Sequence, residues 1–477
     1  MHSYNCDVLA RASGSASSNN VGGHLDMESE KSRVVILTDI TNEPDDEQSL
    51  IRLLVYGNEF DIEGIIAVTS CWLREKPRED IVRRNLDAYG KVCGNLLLHA
   101  KGFPTQAQLE TITCTGQPTY GMQSVGEGKA TDGSRCILNA VNRDDPRPLW
   151  VCIWGGAATL AQALFDAART ISGEHLACLV SKLRVYAISD QDDAGYWVRR
   201  EFPNLFYIVS PSNPDAMDYS RATWAGISGD RHSKNGPFFH FDLVDNTWLE
   251  ENVMKDHGPL GARYPRIAFN MEGDTPSFLG LIRNGLGSHL SPGFGGWGGR
   301  YVWYKAYGET RPIWTNNRDS RDTVVVDGKS YTSDAATIWR WREHYQYDFA
   351  ARMDWCVRPY TCANHNPIAV LNGDKSKQVL FLSACPKERL SFSAAGSRDP
   401  DGGPIDASWW IYIEAGSLQA AVVLSTITGL ETELTIPDVQ RPGTVHLILQ
   451  IKDHGTPALV AYRRVVINVV LEPVESG

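Results

Sequence analysis

The sequence predicts an α/β domain with a doubly wound, mostly parallel sheet, followed by an all-β domain built as an antiparallel sandwich. Three observations carry this. Apolar runs of strand length alternate with helical patterns over residues 33–362, the rhythm of βαβα units. Acidic residues gather where those runs end, and open α/β sheets bind ligands at the carboxyl ends of their strands. Over residues 366–474 the helical pattern is gone, and short alternating segments recur at the spacing of a sandwich.

A chain of 477 residues is too long for one core, which agrees with two domains. Residues 1–32 are rich in Ser, Gly and Asn and lack the apolar run of a secretory signal, so they read as a disordered leader. The net charge of −11 with no basic run excludes a nucleic-acid backbone as partner. No stretch reaches the ~20 apolar residues of a membrane span, and a homo-oligomer is compatible with the composition. Fourteen Trp suit sugar stacking and core filling alike. Ten Cys do not form a disulfide scaffold: Cys136, Cys152 and Cys178 sit in apolar runs as core residues, and Cys356 and Cys362 are close enough to pair.

The first strand is Val34-Val35-Ile36-Leu37, apolar enough to be buried on both faces. Leu50, Leu53 and Leu54 then follow at helical spacing. Between them lie Asp39, Asn42, Glu43, Asp45 and Asp46, with Pro44 suited to a first helical turn. The helix dipole alone accounts for Asp45 and Asp46. It does not account for Asp39, which ends the strand. Clustered carboxylates repel unless a cation or proton lies among them, and hard oxygen ligands favour Ca²⁺ or Mg²⁺.

A second strand runs from Asp61 to Ser70 with Cys71-Trp72 after it, and a helix from Arg78 to Cys93. The Gly-rich stretch Pro118–Ser134 reads as an active-site loop or a plain surface loop; without a strand ahead of it, it is no dinucleotide fingerprint. Cys136–Val141 continues as helix, Leu149–Trp154 as the third strand, and Gly155–Leu164 as turn and helix. The fourth strand, Leu183–Ile188, runs into a second acidic cluster with Asp190 and Asp192. The fifth, Phe206–Ser210, ends in Pro211-Ser212-Asn213. Trp224, His232 and His240 lie in a polar loop, and neither His has a second ligand at metal-site spacing. Ile267–Phe269 reads as a short strand leading to Asp274, with Pro276 opening the next helix. Trp297 sits among glycines, covering either a sugar or its own loop. Ala336–Trp355 forms one amphipathic helix whose aromatic stripe suits domain packing. Sandwich strands follow at 369–371, 390–394, 407–413, 432–436, 445–451 and 460–470, with Trp409-Trp410 supplying a core Trp.

The stretch TDITNEPDD resembles the aspartate signature of the nucleoside hydrolases, Asp-x-Asp-x-Gly-x-Asp-Asp after a first strand. Asp39 matches the first Asp, and Asp45 and Asp46 the closing pair. Thr41 stands in place of the second Asp and Glu43 in place of the Gly. With EQSLIRLLVY after it, the variant is similar to a set of nucleoside hydrolase-like proteins, some of them cellulose-binding, that carry a C-terminal immunoglobulin-like domain. Gly155-Gly156-Ala157-Ala158-Thr159 resembles that family's Gly-Pro-Leu-Thr-Asn turn, and Asp274 its late metal-binding Asp; Gly273 replaces the His that some members use to protonate the leaving base.

The resemblance implies Ca²⁺, or Mg²⁺, held by Asp39, Asp46, Asp274 and the main-chain carbonyl of Ala158, with Asp45 on sugar hydroxyls. In the family the second Asp deprotonates the attacking water. With Thr41 there, Glu43, Asp45 and Asp190 are the candidates for proton transfer. Asn42, Asp45, Trp72, Trp154, Asp192, Trp224 and Trp297 are the candidates for substrate contact. These expectations favour a divalent-metal-dependent hydrolase cleaving a glycosidic bond of a carbohydrate by metal-activated water. The alternatives are a non-catalytic carbohydrate-binding protein, with Thr41 as the lesion, and a ribonucleoside hydrolase. Relatives of this architecture are often secreted.

Overall fold

Residue pattern becomes a sheet through the period-2 alternation of its strands. The computed structural model describes residues 31–41, 43–210, 219–228, 240–306 and 308–471. The leader expected over 1–32 falls outside these residues except for Lys31 and Ser32, and Ser32 already belongs to the first strand. In chain order the first region contributes β1 (Ser32–Thr38), β2 (Phe60–Ala67), β3 (Thr113–Thr115), β4 (Leu149–Ile153), β5 (Leu183–Ala187), β6 (Phe206–Val209), β7 (Val302–Tyr304) and β8 (Ile313–Thr315). They form one sheet in the order β3-β2-β1-β4-β5-β6-β8-β7, parallel throughout except for β7 against β8. The order reverses between β1 and β4, so the binding crevice of a doubly wound sheet opens at their carboxyl ends.

β1 is buried along its whole length. Val34 and Ile36 pack on one side with α1 (Asp45–Val55) and α2 (Glu79–His99). Val35 and Leu37 pack on the other. There they meet α4 (Asp132–Val141), α5 (Ala158–Thr170) and α7 (Ala194–Glu201), while α3 (Gln106–Thr111) and α6 (Gly173–Lys182) complete the connections. Leu50, Leu53 and Leu54 are buried as their spacing requires. The sheet thus has helices on both faces, the doubly wound arrangement.

Two expectations fail in this region. Ile267–Phe269 forms no strand; Phe269 is more than half exposed, so the run has no buried sheet position to fill. The helix expected over Ala336–Trp355 is broken into Ala336–Trp339 and Arg342–Asp354. At the break the Trp341 N–H bonds to Ile338 O, three residues back, and its indole N–H to Thr337 O. That turn lets the Trp341 ring meet Trp410, Tyr412 and Tyr462 at 5.7–6.0 Å. The strands β3, β7 and β8 and the hairpin β9 (Asp322–Val326) with β10 (Lys329–Ser333) have no counterpart in the sequence reading.

The C-terminal region is an immunoglobulin-like sandwich. Its strands are β11 (Leu380–Ala384), β12 (Arg389–Ser393), β13 (Ile405–Ile411), β14 (Val423–Leu424), β15 (Glu431–Thr435), β16 (Gly443–Asp453) and β17 (Val460–Val469). One sheet runs β11-β17-β16-β13 and the other β12-β15-β14. Phe392, Trp409, Leu434, Leu447, Leu449 and Ile467 fill the space between them. Residues 369–371 make only an isolated bridge, Leu371 with Asp374, instead of a strand. The sandwich shares its core with the α/β region: Tyr412, Ile448, Val460 and Tyr462 belong to the same apolar cluster as α1 and α2. Cys356 is buried, Cys362 is exposed, and both are free thiols. Cys152 is buried as expected; Cys136 is half-buried and Cys178 exposed, because α6 turns that residue to solvent.

Candidate functional site

At the carboxyl end of β1 the chain leaves the sheet at Asp39 and turns through Thr41, whose φ is +110°. Asn42 lies outside the described residues. Pro44 takes the N-cap position and α1 begins at Asp45, so Asp45 and Asp46 occupy its first turn. The dipole of α1 favours both charges there. The side chains are then fixed individually. Thr38 donates its hydroxyl to Asp46 Oδ1, and Ser70, at the end of the β2 segment, donates its hydroxyl to Asp39 Oδ2. Ser70 Oγ also accepts the N–H groups of Trp72 and Leu73, at 3.0 and 3.1 Å, which ties the Trp72 loop to the acidic turn.

Asp274 arrives from the far end of the domain, just before the short helix Pro276–Leu279, and is buried. One oxygen from each of Asp45, Asp46 and Asp274 lies within 4.8 Å of the others. Asp274 Oδ2 has no hydrogen-bond partner although it is shielded from solvent. Burial raises the Asp274 carboxyl well above its ordinary value, and the charges acting on it, Asp46, Asp45, Asp39 and Glu43, push the same way. Asp46 is raised by burial and by Asp39 and Asp45, against the Thr38 hydroxyl. Asp45 is pushed up to about 7 by burial, Glu43 and Asp39. Asp39 is raised by burial, against the Ser70 hydroxyl.

Hard oxygen donors converge on one point, like charges face each other, and one buried oxygen lacks a partner. That set fits a divalent cation of the Ca²⁺ or Mg²⁺ type. Asp39 flanks the three converging carboxylates. Ala158 opens α5, and its N–H donates to Asp192 Oδ2 at 3.0 Å.

Gly155 and Gly156 make room for the acids. A Cβ on Gly155 would lie 2.7 Å from Asp39 Oδ1, and one on Gly156 2.4 Å from Asp192 Oδ2. Asp192 is buried and also accepts the Ala194 N–H at 2.9 Å, so it joins the N-termini of α5 and α7. Burial raises it to about 6, against those backbone bonds. Asp190 forms a bidentate pair with Arg199 on α7, 2.8 Å at each oxygen, apart from the converging group. Glu43 sits close enough to raise Asp45.

The four tryptophans separate cleanly. Trp72 is 46% exposed beside the acidic turn. Trp224 packs edge-on to Tyr219, donates to Ser189 Oγ at 3.2 Å, and reaches Gly273: a Cβ there would lie 3.2 Å from the indole and 2.9 Å from Asp45 Oδ2. Trp154, Trp224 and Trp297 are buried, which corrects their assignment as stacking surfaces. Trp154 donates to Ser277 Oγ, and Trp297 packs against Tyr345 and Tyr462. His240 is 3.4 Å from Glu343, and His232 lies outside the described residues. Sequence reasoning missed Thr38, Ser70 and Glu272. The first two are small polar residues at strand ends, a signal that was available.

Comparison with known proteins places the chain in a family. Residues 33–301 match the family model described as cellulose-binding Sde182, nucleoside hydrolase-like domain, and residues 389–469 match that of the cellulose-binding protein Sde0182, C-terminal domain. A solved structure described as a nucleoside hydrolase-related hypothetical protein from Saccharophagus degradans, associated with carbohydrate metabolism, is 39% identical. It covers 92% of this chain and 100% of its own, with a TM-score of 0.79. The effector protein XOO4466 and the type III effector protein XopQ, 12% and 14% identical, each cover 69% of this chain and 95% of their own at a TM-score of 0.33, too low to carry an argument. No curated protein matches the chain.

Proposed function

The chain belongs to the cellulose-binding Sde182 family with a nucleoside hydrolase-like domain, and from that premise we propose that it is a divalent-cation-dependent hydrolase of a carbohydrate glycosidic bond. The observation that carries this reading is the convergence of Asp45, Asp46 and Asp274 within 4.8 Å, with a buried Asp274 oxygen left without a partner. When bound, a divalent cation supplies positive charge that acidifies a neighbouring water. Asp46 and Asp274 hold the cation, Asp39 adds its charge beside them, and Asp45 reaches toward the sugar hydroxyls. Glu43 or Asp45 takes the proton from the attacking water; each lies in the acidic turn, whereas Asp190 is engaged by Arg199. Trp72 offers apolar surface to a sugar face. With Gly273 at the position of the family His, protonation of a purine leaving group has no residue there, which favours a sugar or simple alcohol as leaving group.

A second reading, a carbohydrate-binding protein without catalysis, draws on Thr41. That residue brings no carboxylate to the position of the family's water-deprotonating Asp. The test is a panel of aryl glycosides, oligosaccharides, inosine and uridine, with and without EDTA. Cation-dependent release of reducing sugar, lost in Asp46→Asn, is the expected result. Carbohydrate binding with no turnover of any member would establish the second reading in its place, and base release from inosine would redirect the assignment to nucleosides.

A further inference from the structure

Glu272 lies two residues before Asp274, is fully buried, and adopts φ +51°, a left-handed conformation that non-glycine residues avoid. Such strain persists only where the surroundings over-determine it, and here they do. The Glu272 N–H donates to Gln48 Oε1 at 3.0 Å. Oε1 accepts from Arg52 Nη2 at 3.1 Å and from the Tyr264 hydroxyl at 2.6 Å. Oε2 accepts from Arg52 Nε and from Thr275 Oγ1, the latter at 3.0 Å. Thr275 Oγ1 also lies 3.0 Å from Ser49 Oγ.

Gln48, Ser49 and Arg52 all belong to α1, the helix whose first turn presents Asp45 and Asp46. Arg52 is itself locked. Nη1 donates to Tyr345 O at 3.0 Å, Nη2 also donates to Gln346 Oε1, and the guanidinium stacks 3.9 Å above Phe349. Segment 272–275 is therefore fastened to α1 one to two turns below the converging carboxylates. Three like charges in one place would push the Asp274 loop away from α1, and the Glu272–Arg52 fork is the fastening that opposes this.

We propose that Glu272 is a positioning residue, clamped by Arg52, that holds Asp274 against Asp45 and Asp46 and so sets the affinity of the cluster for a divalent cation. The inference rests on the reading that the cluster binds such a cation. Groups behind metal ligands typically change affinity by about 10–100-fold when altered. A purely structural role would predict general destabilisation with no special relation to Asp274.

The test measures Tb³⁺ binding by tryptophan-sensitised luminescence, with Trp224 beside the site, and Ca²⁺ affinity by competition. Glu272→Gln leaves Arg52 as an unpaired buried charge, so Arg52→Met/Glu272→Gln is measured beside it to keep a folded variant in hand. The expected result is a loss of Ca²⁺ affinity of about ten-fold or more in the clamp variants. The loss should appear in Ca²⁺ affinity while the melting temperature of the folded double variant in EDTA stays close to that of the wild type, because Glu272 acts on the cluster through Asp274. Wild-type affinity in the folded double variant, or a loss of affinity that only follows a general fall in its melting temperature in EDTA, overturns the inference while leaving the cation reading intact. Absence of Tb³⁺ and Ca²⁺ binding in the wild type overturns the cation reading itself.

Discussion

Asp274→Asn should stabilise the cation-free protein while abolishing its response to calcium. The oxygens of Asp45, Asp46 and Asp274 lie within 4.8 Å of one another. At an effective dielectric constant of about 20, two unit charges at that separation repel by roughly 3.5 kcal/mol. The cluster escapes part of this by taking up protons, as the rise of Asp45 to about 7 indicates. Protonation is not free either: holding an ordinary carboxyl protonated at neutral pH costs about 4 kcal/mol. Removing one of the three charges should recover about 2–4 kcal/mol of stability by either route. Asp274 Oδ2 has no hydrogen bond to lose. Thermal unfolding at pH 7.5, in EDTA and in excess Ca²⁺, reads both effects. The variant should melt above the wild type in EDTA, and calcium should raise the melting temperature of the wild type alone. A variant that melts below the wild type in EDTA, or keeps the calcium shift, would refute the reasoning.

Calcium stabilisation should grow between pH 5 and pH 8. Asp45 and Asp192 have folded-state values near 7 and 6, above their unfolded values, so the stability their protonated forms provide is present at low pH and is lost as pH rises through those values. Cation binding offsets the loss in the acidic cluster, and the difference between melting curves with and without Ca²⁺ across that range checks it. Trp72→Ala should leave stability within about 0.5 kcal/mol but weaken carbohydrate binding, because the ring is half exposed. Trp154→Ala should cost about 3–5 kcal/mol from the core; denaturant titration together with a binding isotherm separates the two. Cys178 and Cys362 should react with a thiol reagent in the native protein, and Cys152 and Cys356 only after denaturation. A Cys356–Cys362 bridge would instead appear as two missing thiols.

The sequence made β1, β2, β4, β5 and β6 legible because strands buried on both faces are continuous apolar runs. It left β3, β7 and β8 hidden because three residues carry no periodicity. Asp39, Asp45 and Asp46 stood out as charges at the end of such a run, and Asp274 stood out through its resemblance to a family position. Which tryptophans face solvent was not legible: Trp154 and Trp72 both follow strands, and only tertiary packing buries the first. Glu272 was hidden for a related reason. Its meaning lies in a positive φ and in partners on α1 more than two hundred residues away, as the Arg52 separation of 220 shows. The break at Trp341 likewise depends on rings contributed by the C-terminal sheet.

The most direct test of the central claim is calcium stoichiometry, measured by equilibrium dialysis on protein stripped with chelator and then returned to Ca²⁺, with Asp46→Asn and Asp274→Asn alongside. The account predicts one tightly held Ca²⁺ per wild-type chain, lost in both variants. A folded wild type that takes up no divalent cation, or variants that hold it as the wild type does, would contradict the claim that Asp46 and Asp274, in the cluster they form with Asp45, hold a metal ion.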